Sequence, residues 1–137
     1  MLNTYVVEGG VGKCATFSAL IPKLKEKGDV QIYTPYIGCF ASNPDVKMAY
    51  ESTLPLTDKR IMASDNIFYS EPYKSNFQFG KQHIIESYCE HHGVGYDKSM
   101  TAKLYTTHHK DSVKEWLTKN EIGKYIMIQF SGGQAQM

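Results

Sequence analysis

Apolar positions along the chain change their period several times, and each change marks an expected element. Tyr5-Val6-Val7 is a continuous apolar run of the kind a short buried strand makes. Phe17, Leu20, Ile21 and Leu24 then recur at spacings of three and four, which predicts a helix from about Lys13 to Lys27 with a core-facing stripe. Pro22 lies inside that stretch and either kinks the helix or splits it into two shorter pieces. Gly28-Asp29 supplies a C-cap and turn, and Val30-Gln31-Ile32-Tyr33 is a second strand, stopped before Pro35. A strand, a helix and a strand within about thirty residues predict a parallel pair with a right-handed crossover.

From Pro35 to Asn76 the pattern is less regular. Asn43-Pro44-Asp45 is a turn signal, Val46 to Tyr50 a short third strand, and Ile67-Phe68-Tyr69 a fourth that Pro72 ends. A clear helix follows from Lys81 to His91 or His92, with Ile84, Ile85, Tyr88 and Cys89 on one side and Gly93 and Gly95 at its end. Ala102 to Tyr105 is a candidate extended piece, and Asp111 to Lys119 a last helix carrying Val113, Trp116 and Leu117. Tyr125-Ile126-Met127-Ile128-Gln129-Phe130 has the strongest strand pattern of all, with Ser131-Gly132-Gly133 directly after it. The whole predicts an α/β fold: a Rossmann-like, mostly parallel sheet with flanking helices, its ligand-facing loops beyond the carboxyl ends of the strands.

Composition narrows the function classes without choosing one. A chain of 137 residues with 42% apolar content suits a single domain with a real core. The formal net charge of +1 gives no basic field, so no nucleic-acid partner is expected. No segment approaches the length of a membrane span, and the N-terminus enters a strand pattern without a secretory leader. Cys14, Cys39 and Cys89 are odd in number and widely spaced, which fits a reducing cytoplasmic location better than a disulfide framework.

Candidate chemistry concentrates in Glu8-Gly9-Gly10-Val11-Gly12-Lys13-Cys14, between the first strand and the first helix. Three glycines in four positions allow a sharp turn and a close backbone approach, and Lys13 could add a positive charge for an anion. Gly9, Gly10, Val11, Gly12 and Lys13 are therefore candidate ligand-binding residues, although a tight turn needed only for packing looks the same. Partition-type ATPases carry a similar loop, but Glu8 stands at their signature lysine and Cys14 replaces the hydroxyl that would hold Mg²⁺. ATPase chemistry is not expected. Lys81 and His83, in the first turn of the later helix, are further ligand-binding candidates, with surface capping as the alternative for His83. Neither His91-His92 nor His108-His109 has the spacing of a zinc-binding helix, so no metal or other cofactor is expected. The ten tyrosines exceed what a core of this size needs. Tyr69, Tyr73 and Phe77 mark the stretch best suited to a protein interface or to a saccharide.

Several segments taken together resemble the N-terminal domain of the heptosyltransferase-like glycosyltransferases. They are Gly9-Gly10-Val11-Gly12-Lys13, Ala19-Leu20-Ile21-Pro22, Tyr33-Thr34-Pro35, Asn43-Pro44-Asp45-Val46, Gly80 to Cys89 and Ile128 to Gly133. The resemblance implies one half of a GT-B fold over residues 1–137, with 125–137 like the start of a donor domain that the chain otherwise lacks. It also implies a saccharide or sugar-nucleotide ligand, the acceptor lying on this half. The family's first loop usually carries Gly-Asp, its aspartate proposed as the base, and Gly10 stands at that position. No catalytic residue is assigned, and the chain alone is expected not to turn over. The alternatives are a noncatalytic protein-binding or inhibitory protein on this scaffold, such as one encoded by a phage or mobile element, and a nucleotide or signal-molecule binder. A homo-oligomer or a protein partner fits the first of these.

Overall fold

Buried polar residues lengthen the first strand beyond its apolar run. β1 spans Leu2–Val6, three residues earlier than the expected start at Tyr5. Asn3 and Thr4 sit inside the sheet because their side chains are satisfied across strands: Asn66 Nδ2 donates to Asn3 Oδ1 at 3.0 Å and Gln31 Nε2 to Thr4 Oγ1 at 2.9 Å. The computed structural model describes residues 1–73, 75–105 and 110–124. Contacts divide the chain into two units, Met1–Tyr105 and Thr106–Met137.

In the first unit α1 (Val11–Phe17) follows β1, a 3-10 turn covers Ser18–Leu20, and α2 spans Ile21–Lys25. Pro22 thus splits the expected helix rather than kinking it. Proline lacks an N–H and is tolerated only in a first turn, so a new helix starts around it. α1 begins at Val11 instead of Lys13, with Gly10 as its N-cap. β2 (Asp29–Thr34), β3 (Val46–Glu51) and β4 (Asn66–Tyr69) complete the sheet. Two short helices were not legible in the sequence, α3 (Lys59–Met62) and α4 (Ser75–Gln78). α5 runs over Ile84–His92 and stops at Gly93, which takes the left-handed conformation at φ +60°. Its start lies three residues after the expected Lys81, because the His83 side chain caps it. Ala102 to Tyr105 forms no strand.

The strand order is β3-β2-β1-β4 and all three pairings are parallel, with Tyr5 opposite Ile32 on one side and Phe68 on the other. The mostly parallel α/β sheet with flanking helices is therefore present. One face carries Tyr5, Val7, Val30 and Ile32, packed against Phe17, Leu20 and Leu24 from the first helical segment and Ile85 and Tyr88 from α5. The other face buries Val6 and Tyr33 under Ile61 of α3. The chain crosses the sheet in one direction from β1 to β2 and in the opposite direction from β3 to β4. Crossovers of one hand then require helices on opposite faces, as found for α1 and α3.

The second unit contains α6 (Lys110–Lys119), close to the expected Asp111 to Lys119. Leu117 is half-buried and Trp116 exposed. His108, His109, the expected strand Tyr125 to Phe130 and the donor-like residues 131–137 lie outside the described residues.

Candidate ligand-binding crevice

Strand order reverses at β1 and β4, the place where open parallel sheets usually bind ligands beyond their carboxyl ends. In a doubly wound sheet the loops there part toward opposite faces. Here α1 and α5 pack on the same face, with the Phe17 and Tyr88 rings edge-to-face at 5.2 Å. The loops after β1 and β4 consequently stay side by side, and their side chains meet.

Lys13 projects from α1 with its side chain only 9% exposed. Its Nζ lies 3.3 and 3.4 Å from the two carboxylate oxygens of Glu71 and 4.4 Å from the centre of the Tyr73 ring. Glu71 Oε1 also accepts from the Tyr73 backbone N–H at 3.0 Å, and Tyr73 stacks on Phe77 at 5.6 Å. Helix α5 pins this second loop. Ser87 Oγ donates to the Pro72 carbonyl, His92 Nε2 lies 3.0 Å from Ser70 Oγ, and His91 Nε2–H donates to the Tyr69 carbonyl at 2.6 Å. Because a carbonyl only accepts, that last bond fixes the proton on Nε2 of His91.

The glycines divide into two kinds. Gly9 has φ +99°, a conformation side chains rarely adopt, and a Cβ there would fall 2.8 Å from Lys13 Cδ. Gly10 and Gly12 have open space where a Cβ would point, so packing within the fold does not demand glycine at either. Val11 is exposed beside them.

Cys14 faces inward. It is fully buried, with Sγ 3.6 Å from the Val7 carbonyl and 3.4 Å from Thr34 Oγ1. Burial pushes its thiol up, only partly offset by the Thr34 bond and the Lys13 charge, so it stays protonated at neutral pH and is no nucleophile. A metal-binding hydroxyl at this position would likewise point away from the crevice. Tyr88 of α5 is fully buried against Phe17, and its hydroxyl has no hydrogen-bond partner among the described residues. Burial raises its phenol strongly, and Cys14, Glu71 and Tyr73 add to the effect.

The expected site is thus assembled in part. Lys13 meets Glu71, which the sequence did not single out, and Tyr73, which stacks on Phe77; the sequence suggested both aromatics for a different role. His83 does not join them: its Nδ1 accepts from Ile85 N–H at 3.2 Å, and it lines a separate groove with Thr16, Tyr96 and Met100. Lys81 is exposed just before it. Tyr69 is exposed on β4, beside Ile67 and Phe68. Among the described residues, no group of three or more His, Cys, Asp or Glu side chains could hold a metal ion, and no helix is long and apolar enough to cross a membrane. Comparison with family models, with curated proteins and with solved structures finds no match for this chain.

Proposed function

We propose that the Met1–Tyr105 unit binds a small polar ligand at the loops after β1 and β4 and does not turn it over alone. The carrying observation is the meeting of Lys13, Glu71 and Tyr73: a donor, an acceptor and an aromatic face at one point. These are the groups that hold a polyhydroxylated ring, whose hydroxyls bond to charged side chains while its C–H face lies on an aromatic. The reading agrees with the acceptor half of a heptosyltransferase-like enzyme, with a saccharide as the ligand. Gly10 has no side chain to accept a proton, and Glu71 is already engaged with Lys13, so catalysis would need groups from elsewhere.

The test is an amide NMR titration with methyl glycosides and sugar nucleotides. Shifts at residues 9–13 and 71–73 that Lys13→Met abolishes support the reading; a ligand panel that leaves those amides unmoved refutes it.

A second reading, protein binding, is favoured by β4. Ile67, Phe68 and Tyr69 are 37%, 40% and 58% exposed on a strand that has one described neighbour. Exposed apolar edge strands are ready templates for another chain. Substituting Phe68 with Lys would then abolish capture of a partner without moving the crevice amides.

A further inference from the structure

We infer that the Glu71 carboxylate is an internal stand-in for an acid group of the ligand, so that the crevice takes an oxyanion-bearing small molecule which replaces Glu71 on Lys13. The inference rests on the crevice reading above and gives its ligand a charge.

Three independent features carry it. The first is an asymmetry of burial: the Lys13 side chain is 9% exposed and the Glu71 side chain 55%. The cation belongs to the fold's floor and wall, whereas its anion arrives from the solvent side and can leave with little disturbance. Secondly, the pair is loose. Distances of 3.3 and 3.4 Å exceed the roughly 2.7–2.9 Å of a well-formed ammonium–carboxylate bond. A pair this loose, with its carboxylate open to solvent, gains little from the contact, so exchange for a better-fitting anion is cheap. Glu71 keeps its bond to the Tyr73 N–H as it turns away, and the loop stays clamped to α5 by Ser87 and His92.

The third feature is the Tyr88 hydroxyl. It is a buried donor without a partner among the described residues, and it follows Ser87, whose hydroxyl holds the Pro72 carbonyl of the second loop. A neutral hydroxyl left so costs free energy unless something accepts from it. An oxyanion seated on Lys13 brings further acceptor oxygens for such a donor. The open space over Gly10 and Gly12 leaves room for the rest of such a molecule.

The experiment is an amide NMR titration of the full chain with inorganic phosphate, beside a neutral methyl glycoside, at low ionic strength. Glu71→Gln removes the competing charge while keeping the shape. It is expected to tighten phosphate binding about five- to tenfold. Lys13→Met should lose phosphate-induced shifts at residues 9–13 and 71–73, and Tyr88→Phe in the Glu71→Gln background should weaken phosphate severalfold. Spectral dispersion shows that each variant is folded. Glycoside shifts at the crevice of the wild type, together with a Glu71→Gln variant that fails to tighten phosphate, overturn the stand-in role and leave the crevice reading standing. Phosphate shifts that persist in Lys13→Met, or that map to surface lysines, overturn it too. Absence of crevice shifts from either probe, in both the wild type and Glu71→Gln, overturns the inference and the crevice reading together.

Discussion

Tyr88→Phe tests the structure at its most unusual buried group. The ring is fully buried and meets Phe17 edge-on at 5.2 Å, so removing one oxygen leaves its apolar contacts in place. The hydroxyl lacks a partner among the described residues, and an unsatisfied buried polar group costs about 1–3 kcal/mol. Phenylalanine should therefore stabilise the folded chain by about 1 kcal/mol, or about 4 °C in Tm for a protein of this size. Urea unfolding at pH 7 would show a higher midpoint with an unchanged m-value. The alkaline limb gives a second readout. Burial raises the folded phenol above its unfolded value of 10.0, so the unfolded state ionises first. This contribution to stability is full below pH 10 and is lost as pH rises beyond it, and the loss should be shallower in Tyr88→Phe. Tyr5, also raised by burial, keeps part of the decline. A loss of 1 kcal/mol or more in the variant would mean that the hydroxyl is well bonded, and would remove it from the crevice argument.

Other outcomes follow from packing, backbone and charge. Phe17 touches Tyr5, Phe40, Tyr88 and His92 in the main core, so Phe17→Ala should cost about 3–5 kcal/mol in denaturant unfolding. A cost under 1 kcal/mol would contradict this packing. Gly28 has φ +148° with a Cβ position 2.6 Å from the Met1 carbonyl oxygen, so Gly28→Ala should lose about 1–3 kcal/mol. Gly10→Ala, at φ −72° with open space around it, should leave Tm nearly unchanged, and equal losses at the two sites would be inconsistent with the backbone described. Lys25 and Lys47 hold the Asp29 carboxyl at about 2, and Arg60 holds Asp58 at about 2, both below the ordinary 3.8. Stability from these carboxylates is present above pH 3.8 and lost as pH falls through about 2. Asp29→Asn and Asp58→Asn should each flatten an acid-unfolding profile over that window, and superimposable profiles would refute the pairings.

Local pattern determined the element types in this chain. Four strands and the helices around Phe17, Leu24, Tyr88 and Trp116 were legible because each repeats apolar residues at the period of its own backbone. The ends were less legible. Asn3 and Thr4 read as polar flank until Asn66 and Gln31 satisfy them across the sheet, and the start of α5 depends on a histidine cap. The glycine turn and Lys13 were likewise visible as candidates, because their special backbone and charge are properties of single residues. The partners of Lys13 were not visible. Glu71 lies 58 residues away, in a segment notable in the sequence only for its aromatics. What brings them together is the parallel pairing of β4 with β1 and the packing of α1 and α5 on one face of the sheet. Periodicity can say that a residue faces inward or outward along its own element. Which outward-facing groups meet across 58 residues depends on strand order and on the side of the sheet each helix takes, and those are decided by burial of the chain as a whole.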